Sequence, residues 1–291
     1  MQDIRLGDVT ISAILEHQKL GLSPDKLFLD CDLEVARGHY AEMEPFLYDA
    51  ESDRIVLAFQ SFLVRTPKSI IMVDTCNGPD KFQSAISWDT KPWLDRLHEL
   101  GLTFEDIDFV LCTHLHIDHT GWNTRLENGK WVPTFPNATY LFERGEYAYW
   151  QNAAEKGLPS IHRDGVWQTN CLPIAEAGLA KFVEGNFDVD DYVSLMPTPG
   201  HSPGHYCVRI RSGGLEAIAL GDLAHHVLQC REPDWSTPFC WDPGMAARSR
   251  RALLHEAAGN GTLLLPTHFP APTAGRVTAD GARFRYHFLD E

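Results

Sequence analysis

Residues 113–119 read Thr-His-Leu-His-Ile-Asp-His, which sets three imidazoles and a carboxylate almost side by side. These are the donors that borderline divalent cations such as zinc prefer. His114 and His116 are two apart, so on an extended strand end they project to the same side. Asp118 and His119 follow a turn of the chain and reach the same space from another angle. Four donors exceed what one catalytic cation usually takes from a single segment, which points to two cations.

The other donors must come from elsewhere in the chain. His201 follows a strand pattern, in Thr-Pro-Gly-His-Ser-Pro-Gly-His at 198–205, where Pro and Gly fix a tight loop that can aim an imidazole. Asp222 follows the apolar run 215–220, and His268 follows Leu-Leu-Leu-Pro-Thr. Strand ends are where sites assemble in layered α/β folds. Taken singly, a histidine after a strand is usually a surface or capped residue, and an aspartate there is most often a helix N-cap. The run at 114–119 makes the three credible together.

The elements that would carry these residues alternate in kind. Strand patterns cover 4–14, 55–65, 69–73, 107–113, 139–142, 193–197, 206–211, 215–220, 262–265 and 276–289, several as hairpins. Helices are expected over 92–100, 144–156 and 243–258, with another inside 166–181; Pro92 and Gly101 mark the ends of the first. Hairpins with helices between them, in both halves, predict two mixed sheets packed together with helices outside. Without a linker or low-complexity stretch, residues 1–291 form one domain. Residues 21–52 are less regular. They are either a lid or interface segment or a surface excursion packed on the core.

Composition bounds the partners. A formal net charge of −15 repels nucleic acid phosphate and anionic membranes. The densest basic cluster, 248–251, fits the solvated face of a helix. The seven cysteines are odd in number and show no Cys-x-x-Cys spacing, so they read as reduced thiols, mostly core fillers. No apolar run reaches membrane-spanning length and the first residues lack a signal-type apolar stretch, so a cytoplasmic protein is expected. Aromatic residues at 233–241, Trp122 and the 21–52 segment are candidate pocket walls, although each could equally be core or interface.

On Asp74, the run 114–119, His201, Asp222 and His268, in that order, the chain resembles the metallo-β-lactamase superfamily of hydrolases. The resemblance implies the αββα sandwich. It assigns His114, His116 and His201 to one metal, Asp118, His119 and His268 to the second, and Asp222 as the bridge. Asp74 would orient the ligand loop. Two divalent ions follow, zinc first, with Mn, Fe or Co as alternatives, together with a metal-bridging hydroxide as the nucleophile. Asp118 would also orient that hydroxide or accept a proton, or serve as a ligand only.

Within the superfamily, Asp222 stands where classical zinc β-lactamases of two subclasses carry Cys. His116 stands where flavodiiron oxidoreductases carry Glu. The likeness is greatest to lactonases that open N-acyl-homoserine lactones, the quorum-quenching enzymes. The implied substrate is a lactone or related ester, and a homodimer is a further expectation. Alternatives are a phosphotriesterase or aryl esterase, a β-lactam hydrolase, or an iron-dependent oxidoreductase. One departure stands out: many such lactonases place Tyr three residues after the bridging Asp, where this chain has His225, followed by His226. His225 could donate a hydrogen bond or a proton during catalysis.

Overall fold

Side-chain alternation along the strands decides which layers meet. In strand Arg54–Arg65, Phe62 and Val64 enter one apolar cluster and Leu63 another. In Ile70–Val73, Ile71 and Val73 go with the first and Met72 with the second. In Leu263–Leu265 the outer two residues join that same first cluster, while Leu264 faces a third. A strand with both faces apolar is a strand buried on both faces. The first cluster is therefore the seam between two sheets, and the other two lie under helices.

A computed structural model describes residues 2–81, 89–157 and 165–289. One sheet runs Ile4–Leu6, Val9–Leu20, Arg54–Arg65, Ile70–Val73, Phe109–Leu111, Thr139–Glu143, Ala180–Val183, with Tyr48–Asp49 added to Arg54–Arg65. The other runs Phe187–Asp188, Val193–Pro197, Tyr206–Ser212, Leu215–Ala219, Leu263–Leu265, Gly275–Asp280, Arg283–Phe288. Helix Lys91–Glu99 packs Trp93 and Leu97 on the first sheet, and helix Pro243–Asn260 packs Leu253, Leu254 and Ala257 on the second. The expected αββα sandwich of two mixed sheets is what forms.

The parallel pairings matter most for function. Ile70–Val73 runs parallel to Phe109–Leu111, and Leu215–Ala219 runs parallel to Leu263–Leu265. Parallel neighbours end at the same edge. Asp74 therefore comes beside residues 114–119, and Asp222 beside His268.

Local detail differs from the sequence reading in several places. The 166–181 stretch begins as a wide π turn at Trp167–Cys171 and a short helix at Leu172–Glu176, but it finishes as strand Ala180–Val183. A hairpin at Thr124–Glu127 and Lys130–Pro133 was not anticipated. Its turn, Asn128-Gly129, has positive φ at both residues, the conformation that Asn-Gly favours in two-residue hairpins. Residues 21–52 contain helices Pro24–Leu27 and Leu33–Tyr40 and are tied to the body. Leu29 N donates to Ser236 O at 2.7 Å, and His39 meets Glu232 at 2.8 Å. Among the described residues, no helix is long and apolar enough to cross a membrane.

Arg250 overturns the solvated reading of 248–251. Arg248 is exposed, but Arg250 is completely buried. Its guanidinium donates to the carbonyls of Leu223 (2.7 Å), Pro233 (2.5 Å) and Trp235 (3.0 Å). None of the ion pairs found among the described residues includes it, and burial pushes its pKa down to about 10. It ties the loop after Asp222 to the aromatic stretch at 233–236. Arg250→Met should lower the unfolding free energy by about 3 kcal/mol, because three buried carbonyls lose a charged donor. Denaturant titration measures this, and an unchanged midpoint would mean the loops hold themselves.

Candidate metal centre

Asp74 leaves its strand in the left-handed region, at φ +56, which Asp tolerates better than most residues. One carboxylate oxygen accepts from Thr113 N at 2.8 Å, and the other lies 2.8 Å from His119 Nδ1. Thr113 Oγ1 donates to Asp74 and lies 3.1 Å from His114 Nδ1. One carboxylate therefore orients two imidazoles of the run. His116 stands just before the short helix Ile117–Thr120, which carries Asp118 and His119. That change from extended to helical backbone splits the four donors into two directions.

The loop at 198–205 is shaped by two further buried groups. His205 Nε2 accepts from Asp222 N at 3.0 Å, so its proton sits on Nδ1 and points to Thr198 Oγ1, 2.9 Å away. Burial and the neighbouring His201 push its pKa to about 3, which keeps it neutral. Glu146, buried in helix Arg144–Glu155, accepts from Leu115 N (3.1 Å), Gly204 N (2.9 Å) and Trp150 Nε1 (2.8 Å). It joins the 114–119 run to the His201 loop, and burial raises its pKa. At Gly200, with φ +133, a Cβ would lie 2.1 Å from Ala246 N. At Gly221, with φ +52, it would press on Thr113 Oγ1 and His205. Only glycine lets these two loops approach.

Asp222 sits at the centre. Its Oδ2 lies 3.0 Å from His201 Nε2 and 3.7 Å from His114 Nε2, while His116 Nδ1 is 3.0 Å from His201 Nε2. Its Oδ1 lies 2.9 Å from His119 Nε2 and 2.8 Å from His268 Nε2. Asp118 Oδ2 is 3.8 and 3.7 Å from those same two nitrogens. The donors fall into two nests, His114–His116–His201–Asp222 and Asp118–His119–His268, each with its ligand atoms within 4.8 Å of one another. All seven residues named from the sequence come together.

The donor set fits divalent cations. His114 Nε2, His119 Nε2, His268 Nε2 and Asp222 Oδ1 are buried and make no hydrogen bond among the described residues, although they lie close together. Buried polar atoms rarely lack partners, and these are aimed at shared points rather than aligned with one another. Their charge state without cations tells the same story. Burial works against charging Asp222, but His119, His268, His225 and His201 hold it well below the carboxylate range. Burial also opposes protonation of His119, yet Asp222, Asp74 and Asp118 keep it well above the usual imidazole value. The cluster is a strong sink for positive charge, and two divalent ions suit it.

His225 is beside the nests. Its Nε2 lies 3.1 Å from Asp222 Oδ2, its ring is parallel to that of His268 at 5.4 Å, and its backbone N is held by Gln229 at 2.7 Å. Burial pushes its pKa to about 4, so it is neutral, and its Nδ1 has no hydrogen-bond partner among the described residues. It also falls within reach of a third grouping, with Asp222 and His268. His226 turns away, with Nε2 on Leu47 O at 3.0 Å.

The expected pocket walls need correcting. Trp122 stacks on Trp93 at 4.7 Å and donates to buried Glu16 at 3.0 Å, so it is core. Trp235 is buried against Phe28. Aromatic residues that lie against the donors include Phe59, edge-on to His268 at 5.0 Å, and Trp150, edge-on to His116 at 5.4 Å. Neither was singled out from sequence, and neither carries a local signal that could have done so. Glu146 and Glu16 are likewise silent in sequence, whereas His205 lies within the 198–205 motif.

Residues 58–268, well over half of the chain, match the family model described as the metallo-beta-lactamase superfamily. A curated relative, the N-acyl homoserine lactonase AiiA of Bacillus thuringiensis subsp. kurstaki, is 28% identical over 158 residues, 54% of each chain. The chain thus spans about half the length of the curated relatives it matches. A solved structure of the hydrolase AbOPH, described as in the beta lactamase superfamily, is similar with a TM-score of 0.81 at 25% identity, covering 99% of this chain and 98% of that one. AidC, described as a dizinc quorum-quenching lactonase in complex with its product, shares the fold with a TM-score of 0.78 at 24% identity, covering 100% and 97%.

Proposed function

The chain belongs to the metallo-beta-lactamase superfamily, and from that premise we propose that it is a dinuclear metal-dependent hydrolase that opens lactones, with N-acyl-homoserine lactones as the first candidates. The observation that carries this reading is Asp222, whose two oxygens each face a separate nest of imidazoles. His114, His116 and His201 would hold one cation, Asp118, His119 and His268 the other, and Asp222 both. Zinc is the proposed metal, because imidazole and carboxylate donors suit it. When bound, two such cations polarise a substrate oxygen and lower the pKa of water.

The remaining steps belong to the chain's own residues. His225, neutral, points its one ring proton at Asp222 Oδ2, and it would turn that hydrogen bond to the substrate oxygen at which charge develops. Its low pKa suits it to donating a hydrogen bond rather than to storing a proton. Asp118 is the most exposed of the donors, with about a fifth of its side chain accessible, so it is placed to orient water. Phe59 and Trp150, edge-on to His268 and His116, add apolar surface beside the donors that would suit an acyl chain or ring. The resemblance to acyl-homoserine lactonases implies Tyr where this chain has His225, so aryl esters and phosphotriesters belong in the same test.

That test is a pH-stat assay of the metal-loaded protein on lactones, aryl esters, phosphotriesters and β-lactams. Ring opening of N-acyl-homoserine lactones in preference to the other classes is the expected result. Turnover confined to phosphotriesters would move the assignment to that branch. Oxygen uptake with thiol substrates and no hydrolysis would make it an iron oxidoreductase.

A further inference from the structure

Four imidazoles that face Asp222 are also gripped from their outer side. His114 Nδ1 lies on Thr113 Oγ1, His119 Nδ1 on Asp74 and His268 Nδ1 on the carbonyl of Ala58 at 2.9 Å. Such outer partners fix which ring nitrogen carries the proton and hold the ring plane. For His201 the outer partner is a thiol, Cys240, with Sγ 3.6 Å from Nδ1.

The contact is built rather than incidental. Trp241 N donates to His201 O, and Asp242 N to Gly200 O, each at 2.9 Å. Cys240 N donates to Thr237 O at 3.1 Å, and its sulfur lies 3.5 Å from Thr237 Oγ1. The cysteine is therefore pinned on both flanks, with its sulfur on the side of the ring away from Asp222. Five of the seven cysteines are fully buried, as core fillers should be; Cys240 is one of the two that are not.

We propose that Cys240 is a positioning residue for His201: its sulfur accepts the Nδ1 proton, fixes the tautomer that leaves Nε2 bare, and aims that nitrogen at Asp222 and His116. Sulfur is a weak acceptor, which makes the outer grip on His201 weaker than those on His119 and His268. The proposal rests on the reading that the nests hold cations.

The test is a Co²⁺ titration of metal-free wild type, Cys240→Ala and Cys240→Ser, followed by visible absorption and by competition with a chelator. Long-range ¹H–¹⁵N spectra of the metal-free protein, recorded above pH 9 where His201 is neutral, report its tautomer. In Cys240→Ala one of the two Co²⁺ ions should bind roughly 10- to 100-fold more weakly, with the other unchanged and His201 no longer held in one tautomer. Serine, which keeps an acceptor, should restore most of both. Wild-type affinities and an unchanged tautomer in Cys240→Ala would overturn the proposal. Cys240→Val, which fills the space without an acceptor, takes the same two outcomes if the alanine variant does not fold. Wild type that binds no Co²⁺ would instead sink the two-cation reading itself.

Discussion

Asp222→Asn is expected to lower hydrolysis by on the order of 10³-fold, the scale of losing a preorganised electrostatic group at the reacting centre. Asparagine keeps the shape but replaces one oxygen with an amide whose protons point at imidazole nitrogens. Oδ1 faces His119 and His268, and Oδ2 faces His201, so either orientation spoils one nest. Bound metal should fall from two ions per chain. The fold should persist, because the Asp222 backbone N–H, which asparagine keeps, donates to His205 and holds the loop. Elemental analysis, circular dichroism and lactone turnover on one preparation check all three. Two ions with near wild-type turnover would show that the bridge is not central.

Chelation is the second large effect. Stripping the cations should abolish turnover, and re-adding Zn²⁺, Mn²⁺ or Co²⁺ should restore it. Stability should fall as well, by about 4 kcal/mol for a site kept a thousandfold above its Kd. This loss should depend on pH in a definite direction. In the metal-free protein, the carboxylates outweigh burial to raise His119 and His268, and they raise His201 to about 9. Stability from a raised imidazole is fully present below its unfolded pKa of about 6.5 and is lost as pH rises through the folded value. His205, His225 and His226 have low folded values, about 3, 4 and 4. They are neutral in both states above pH 6.5 and do not contribute there. The drop in Tm on chelation should therefore widen between about pH 6.5 and 9. A drop that narrows over that window would show that the imidazoles are not held charged by Asp222.

Much of the site was legible because ligand residues sit where strands stop. The strand before 114–119, the apolar run before Asp222 and the Leu-rich strand before His268 are all short and buried, and each ends in a polar donor. Local pattern carries that information. The same reasoning misread Arg250, since three basic residues among four look solvated until the helix is packed. It left Trp122 open between pocket wall and core, and the indole donates to Glu16 in the core.

Glu16 and Glu146 explain why the rest was hidden. Glu16 accepts from Asn77 N, Gly78 N and Trp122 Nε1, each at 3.0 Å. Glu146 bonds to residues 31 and 58 positions away. A buried carboxylate that satisfies backbone amides from distant loops looks in sequence like any surface glutamate. Little in its neighbours' types marks it, because many of its partners are main-chain groups that every residue has.

The sequence by itself determined the donor types, their grouping into a dense run and three distant residues, and the alternating strands that carry them. Residue chemistry and periodicity are local properties, so they survive without the fold. Only the tertiary structure decided that Asp222 turns one oxygen to each nest, that His225 lies beside the nests while His226 turns away, and that a thiol backs His201. Those depend on how two sheets pack and how parallel strands end at a common edge. Distances of about 3 Å between residues a hundred positions apart are set by packing, and no spacing along the chain encodes them.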